Sequence, residues 1–240
     1  MNRTQASPAR GAERDSSEPG VDCLLCPRLV ELRAANRAAE PEWHNAPVPN
    51  FGRRRSRLLI VGLAPGQRGA NRTGRPFTGD FAGDLLYETL LAYGFAKGRY
   101  EARADDNLRL NDCVITNAVR CVPPQNKPTP QEISTCRRFL RASIDSLPDL
   151  VAIVALGRVA HESVLRALGL KLAGFPFAHG AEHVLTDSVM DRPRSALSLF
   201  DSYHCSRYNT NTGVLTPQMF RAVFASLREK LDRSSIFRSE

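Results

Sequence analysis

Predominantly apolar runs at residues 58–61, 113–119, 151–156 and 196–203 are separated by stretches whose apolar positions recur at helical spacing. Short apolar runs bounded by glycine, proline and polar clusters read as buried strands, because a strand covered on both faces has no polar side to show. Between them, Leu85, Leu86, Tyr87, Leu90 and Leu91 form one face of a helix. Thr129, with Pro130 next and Glu132 three residues on, supplies a capped start for a helix running toward Ser146. Gly157 opens a further helix through Leu168 that Gly169 ends, and Thr216 and Pro217 open a last one to about Leu231. Near the beginning, Leu24, Leu25, Leu29, Val30 and Leu32 predict a short amphipathic helix within 23–36, and the proline-rich stretch 41–52 breaks regular structure before the first strand. Strands alternating with helices predict an α/β protein: a three-layer α/β/α sandwich with a mainly parallel central sheet. Residues 171–195 show no clear period and are expected to form a hairpin or a surface excursion.

The stretch 62–84, GLAPGQRGANRTGRPFTGDFAGD, changes this picture from a fold to a site. It begins where the first strand ends, and open α/β sheets bind ligands at the carboxyl ends of their strands. Its glycines permit close backbone approach, its arginines Arg68, Arg72 and Arg75 suit an anionic partner, and Phe77 and Asp80 are the residues suited to touch a base and to do chemistry. A glycine-rich loop of this length is usually functional or disordered. Asp80 also has the identity of a helix N-cap, and Asp84 is a competing carboxylate four residues on.

The chain has 240 residues and 42% hydrophobic content, enough for one sizeable core, and 33 basic against 25 acidic side chains leave a net charge of +8. That balance fits a polyanion such as nucleic acid as partner. No apolar stretch approaches the roughly 20 residues that span a bilayer, which excludes a membrane-spanning helix. Residues 1–20 are rich in Pro, Gly, Ser and charge and lack the apolar core of a secretory signal; a disordered tail on a cytoplasmic protein is expected, with a single domain over 21–240.

Six cysteines in such a chain point to metal or redox chemistry rather than disulfides. Cys23 and Cys26 form a CxxC pair, and Cys121 and Cys136 a second pair spanning a loop and a helix start. By ligand count the four suit Zn²⁺ or an iron–sulfur cluster equally, or none of them is liganded. Cys113, inside an apolar strand, reads as core, and Cys205 as packing or a reactive thiol. His44, His161, His179 and His183 read as structural.

Four motifs carry a resemblance: Gly62-Leu63-Ala64-Pro65-Gly66, the run from Asn71 through Arg75, Phe77 and Gly79 to Asp80, Thr116-Asn117-Ala118-Val119-Arg120-Cys121, and His204-Cys205-Ser206-Arg207-Tyr208-Asn209. In this order they resemble the family 5, or UDGb-type, uracil-DNA glycosylases, over the chain from about Cys23 to the last helix. Family 4 enzymes carry a carboxylate where this chain has Leu63, which favours family 5. The last motif usually reads HPS, and Cys205 here replaces a proline that would fix the backbone ahead of the loop.

The resemblance implies a uracil-DNA glycosylase α/β/α sandwich over 21–240 and a [4Fe–4S] cluster held by Cys23, Cys26, Cys121 and Cys136. It implies a DNA repair hydrolase that cleaves the N-glycosidic bond of uracil, and of other deaminated bases such as hypoxanthine, in double-stranded DNA, acting as a monomer. Such an enzyme flips its target nucleotide into a pocket. Phe77 then stacks on the base, Asn117 bonds its Watson–Crick edge, His204 donates to the leaving base, and Asp80 activates water while its charge stabilises the oxocarbenium-like sugar. Ala64, Pro65 and Gly66 line the water site, and Arg75, Arg120, Arg207 and Asn209 complete the binding set as phosphate clamps and loop contacts. The competing expectation is a nucleic-acid-binding module with a structural Zn²⁺ or iron–sulfur site and no catalysis.

Overall fold

The computed structural model describes residues 18–185 and 197–236. Most of the expected tail, and Ala196 at the head of the last strand, lie outside the described residues.

The core is a six-stranded sheet. Its centre is parallel and consists of β2 (Leu58–Gly62), β5 (Cys113–Asn117), β6 (Ala152–Leu156) and β8 (Leu197–Ser202), with β5 beside β2, β2 beside β6 and β6 beside β8. The edges are antiparallel: β1 (Phe51–Gly52) on β5 and β7 (Glu182–Leu185) on β8. Every residue of the four central strands is buried, which is why apolar residues predominate on both faces, with Thr116, Asn117, Ser198, Asp201 and Ser202 the buried polar exceptions. Alternate side chains serve opposite layers. Leu58, Ile60, Val154 and Phe200 meet Leu86 and Leu90 of α3 (Phe81–Ala92) and Phe220, Phe224 and Leu227 of α7 (Pro217–Ile236). Leu59, Val61, Ile153 and Leu199 meet Leu140 and Ile144 of α4 (Pro130–Asp145) and Val164 and Leu165 of α5 (Arg158–Ala167). The result is the expected α/β/α sandwich.

The helix boundaries follow their capping residues. Thr129 accepts from the Glu132 amide at 3.2 Å while the Glu132 carboxylate accepts from the Thr129 amide at 2.8 Å, a reciprocal capping box. Gly169, with φ +75°, lies just past α5 in the left-handed region that ends helices. The first helix, α1 (Pro27–Ala39), starts one residue after Cys26, with Pro27 at its first position. The expected excursion at 171–195 contains β7, an edge strand, and its remainder from 186 lies outside the described residues. A short hairpin, β3 (Ala96–Lys97) with β4 (Arg109–Leu110), the short helices α2 (Ala70–Thr73) and α6 (Arg207–Asn211), and 3-10 turns at Pro124–Asn126 and Leu172–Gly174 complete the elements among the described residues.

Candidate active site

A cleft of about 490 Å³ opens at the carboxyl edge of the parallel strands. The loop after β2 lines it with Leu63 through Ala70, Phe77 and Asp80; the end of β5 contributes Asn117, the loop before α4 Asn126, and the segment after β8 His204 and Arg207. Amide-to-carbonyl bonds of 2.9 Å from Ala118 to Gly62 and from Val119 to Leu63 hold the β5 and β2 exits side by side, so Asn117 and the glycine-rich loop face one cavity.

Glycines set the distances inside it. A Cβ on Gly62 would stand 2.4 Å from Asn117 Oδ1 and 2.6 Å from the Phe77 ring, so only glycine lets both side chains converge over the strand end. A Cβ on Gly69 would stand 2.5 Å from Asp80 Oδ2, and one on Gly66 3.1 Å from the same atom. Phe77 holds a left-handed backbone, φ +53°, a strained state for a bulky side chain of the kind concentrated at functional sites.

Asn117 is 3% exposed, and its Oδ1 has no hydrogen-bond partner among the described residues. An unpaired buried amide oxygen costs free energy, and it stands ready to accept from an incoming N–H. Phe77 is 6% exposed and belongs both to the core and to the cleft wall. The His204 ring stacks toward Phe77 at 6.0 Å between centroids, and burial holds its pKa down to about 4, so the imidazole is neutral at pH 7.

Asp80 is both helix cap and cleft residue. Its Oδ1 accepts the Gly83 amide at 3.1 Å, while Oδ2 lies against Gly66 and Gly69. Burial pushes its pKa up, the amides of Gly83 and Ala82 pull it back, and nearby Asp84 adds to the rise. Asp84 itself is exposed and lies outside the cleft lining.

Other expected site residues stand behind the cleft. Arg75 is 4% exposed and turns inward to a two-armed ion pair with Asp106, both arms 2.7 Å, with Nε donating to Thr78 and the guanidinium over the Phe51, Tyr87 and Tyr100 rings. That pairing turns both arms of the guanidinium toward Asp106, and Arg75 is not among the cleft-lining residues. Arg120, 1% exposed, donates to Val48 O and Ser143 Oγ and pairs with Glu18. Asn209 donates from Nδ2 to His204 O at 2.8 Å, so it holds the His204 backbone rather than lining the cleft. Arg207 does line it, its guanidinium 5.3 Å from the Phe81 ring centroid. Cys205 is fully buried, and its thiol reaches the Ala82 carbonyl at 3.4 Å, so where the proline of HPS would stiffen the chain, a side chain ties the His204 loop to the first turn of α3. Gln67, Arg68 and Asn126 also line the cleft. Arg68 is one of the arginines the glycine-rich loop offers to an anionic partner, whereas nothing in the local pattern of Gln67 and Asn126 singles them out.

The expected [4Fe–4S] cluster is corrected by where donor atoms converge. Among the described residues, the group whose ligand atoms all lie within 4.8 Å of one another is His161, His183 and Asp201, not Cys23, Cys26, Cys121 and Cys136. The four cysteines are free and share a small, mainly apolar pocket with Leu29, Val119 and Phe139. Burial pushes the Cys121 thiol up to about 12 and the Cys136 thiol to about 11, and the neighbouring cysteines add to the rise. His161 and His183, read from sequence as merely structural, are the histidines of the compact group.

Fold and cleft together define an α/β/α protein with a cleft of about 490 Å³ at the carboxyl ends of its parallel strands. The profile of the Uracil DNA glycosylase superfamily matches residues 49–228. Type-5 uracil-DNA glycosylases are similar over most of their length: that of Thermus thermophilus is 45% identical over 207 residues, 84% of this chain and 90% of that protein, and that of Mycobacterium bovis 42% identical over 216 residues, 86% and 77%. A type-4 uracil-DNA glycosylase from Archaeoglobus fulgidus is 35% identical over 125 residues, about half of either chain. The chain therefore belongs to the uracil DNA glycosylase superfamily, among the type-5 enzymes. It is a hydrolase of the DNA-repair glycosylase class, not a bare binding module. No helix among the described residues is long and apolar enough to cross a membrane.

Proposed function

We propose that this enzyme removes uracil, and other deaminated bases such as hypoxanthine, from double-stranded DNA by hydrolysing the N-glycosidic bond of a flipped nucleotide. The observation that carries the reading is the unpaired, buried Asn117 Oδ1 beside the Phe77 ring, in a cleft that also holds one carboxylate and one neutral imidazole. A base placed on Phe77 presents its edge N–H to Asn117 Oδ1, an acceptor that no described residue of the protein engages. As the C1′–N bond breaks, electrons pass to the base and positive charge builds on the sugar. His204, neutral and able to donate a ring N–H, stabilises the departing base, and the Asp80 carboxylate stabilises the sugar and takes the proton of the water that adds to C1′. A raised pKa suits Asp80 to that proton transfer, since a base works best when its pKa approaches the working pH.

The test is strand cleavage by alkali after incubation with duplexes carrying one uracil or one hypoxanthine. Wild-type enzyme is expected to generate alkali-labile sites on both, and Asn117→Ala to lose excision on both. Loss of neither activity in Asn117→Ala would remove the reading.

A further inference from the structure

We propose that His161, His183 and Asp201 form a site for a divalent transition-metal ion of zinc-like preference, which staples the 175–185 segment onto strand β8. The three donors come from separate elements: His161 from α5, His183 from β7 and Asp201 from β8. His161 Nδ1 is 2.7 Å from Asp201 Oδ1, and His183 Nε2 is 3.0 Å from Asp201 Oδ2.

The second ring nitrogen of His161 decides what stands between these groups. His161 Nε2 lies 2.9 Å from the Phe175 carbonyl oxygen, which only accepts, so Nε2 carries hydrogen. In the neutral ring the Nδ1 lone pair then faces the Asp201 carboxylate, acceptor against acceptor. Such a pair at 2.7 Å requires a cation between its members, either a proton or a metal ion. A backbone carbonyl on the distal nitrogen is also how metal-binding histidines are held in tautomer and orientation.

The convergence of a third donor favours the metal. A proton satisfies one nitrogen and one oxygen, whereas two imidazoles and a carboxylate supply a three-ligand set that leaves a fourth position open, as zinc accepts. With bonds of about 2.1 Å, tetrahedral ligands stand roughly 3.4 Å apart, so admitting the ion moves His161 and Asp201 apart by about 0.7 Å and His183 and Asp201 by about 0.4 Å. Asp201 is wholly buried and the His161 side chain 2% exposed, while the His183 side chain, at 11%, gives the ion its approach from solvent. Phe177 lies edge-on to His161 and Phe175 edge-on to His183, an apolar shell that keeps water from competing for the ion. The site lies outside the cleft lining, and its role is mechanical. The segment it ties down already bonds to the strand end that leads to His204, through the Gly180 amide on Asp201 O at 2.9 Å and the Tyr203 amide on His179 Nδ1 at 3.1 Å.

The experiment loads chelator-treated full-length protein with Zn²⁺ and measures uptake, affinity and thermal unfolding for wild type and His183→Gln. Because His183 sits on an edge strand, the variant is expected to fold; Asp201→Asn serves as the second variant. The expected result is one equivalent of Zn²⁺ bound by wild type and lost in both variants. Affinity should fall roughly a hundredfold or more, since even a lost partner of a ligand costs about 10- to 100-fold. A Zn²⁺-dependent rise in unfolding temperature should appear in wild type only. With Co²⁺, the wild-type-minus-variant spectrum should show ligand-field bands without thiolate charge transfer, which separates this site from the cysteines. Equal uptake by wild type and both variants, a thiolate band in the difference spectrum, or no uptake at all would overturn the proposal, the last leaving a proton as the cation between His161 and Asp201.

Discussion

At Asp80, two demands meet in one carboxylate. Oδ1 caps α3 on the Gly83 amide while Oδ2 faces the glycine-lined cleft. Asp80→Asn keeps the cap, because asparagine caps a helix as well as aspartate, but removes the charge. Single-turnover excision should slow by roughly 10²-fold or more, with DNA binding nearly unchanged, whereas exposed Asp84→Asn should alter the rate little. The same variant should be more stable than wild type at neutral pH. With its folded pKa raised, Asp80 favours folding below its unfolded pKa, and that contribution is lost as pH rises through the folded value, so removing the charge restores it. A higher Tm for the variant than for wild type in thermal unfolding at neutral pH is the expected outcome. His204 works in the opposite direction. Its folded pKa of about 4 lies below the unfolded value near 6.5, so the unfolded chain takes up the proton first and stability falls as pH drops from about 6.5 to about 4. Urea unfolding at pH 7 and pH 5 should show a smaller loss for His204→Gln than for wild type. Of the residues expected in the site, those fixed by strand ends, Asn117 and His204, and those fixed by the glycine loop, Phe77 and Asp80, were legible in sequence. Gln67 and Asn126 were not, because nothing in their local pattern marks them and they reach the cleft only through the fold.

Among the elements, the glycine-rich loop is held from below by the Arg75–Asp106 pair. Both side chains are almost fully buried, Asp106 is pulled down to about 2 chiefly by the Arg75 hydrogen bonds, and Arg75 also donates to Thr78, one residue past Phe77. Removing one partner strands the other as a buried charge, so Arg75→Met should cost about 3–5 kcal/mol in urea unfolding, and adding Asp106→Leu should recover much of it. The salt dependence of DNA binding should stay at the wild-type slope in Arg75→Met, since this arginine meets no phosphate. Sequence composition marked Arg75 as a cation beside a binding loop, but a charge has no visible partner until Asp106, 31 residues away, folds against it. The strands were legible for a simpler reason: burial on both faces leaves a predominantly apolar run. The two-residue strands β1, β3 and β4 carry too few positions to display any period.

For the whole molecule, 33 basic and 25 acidic side chains leave a charge of +8 for a partner that is a polyanion. Affinity for unmodified duplex should fall steeply between low and moderate salt, because each phosphate contact releases a counterion. An affinity that held constant over that range would mean the charge serves something other than DNA. With Arg75 and Arg120 buried in the protein interior, Arg68 and Arg207 at the cleft are the arginines positioned to contribute to that slope.

What the sequence determined by itself is the layer order and the location of the cleft. Apolar runs and capping residues act within a few positions of one another, so a strand, its exit loop and the next helix can be read locally. The tertiary structure decided which polar groups meet. Arg75 chose Asp106 over DNA, Asn209 chose the His204 backbone over substrate, and the compact donor group formed from His161, His183 and Asp201 rather than from the four cysteines. Each of these is a pairing between distant segments. A buried charge or lone pair must find its partner within about 3 Å, and only the folded chain brings residues so far apart in sequence to that distance.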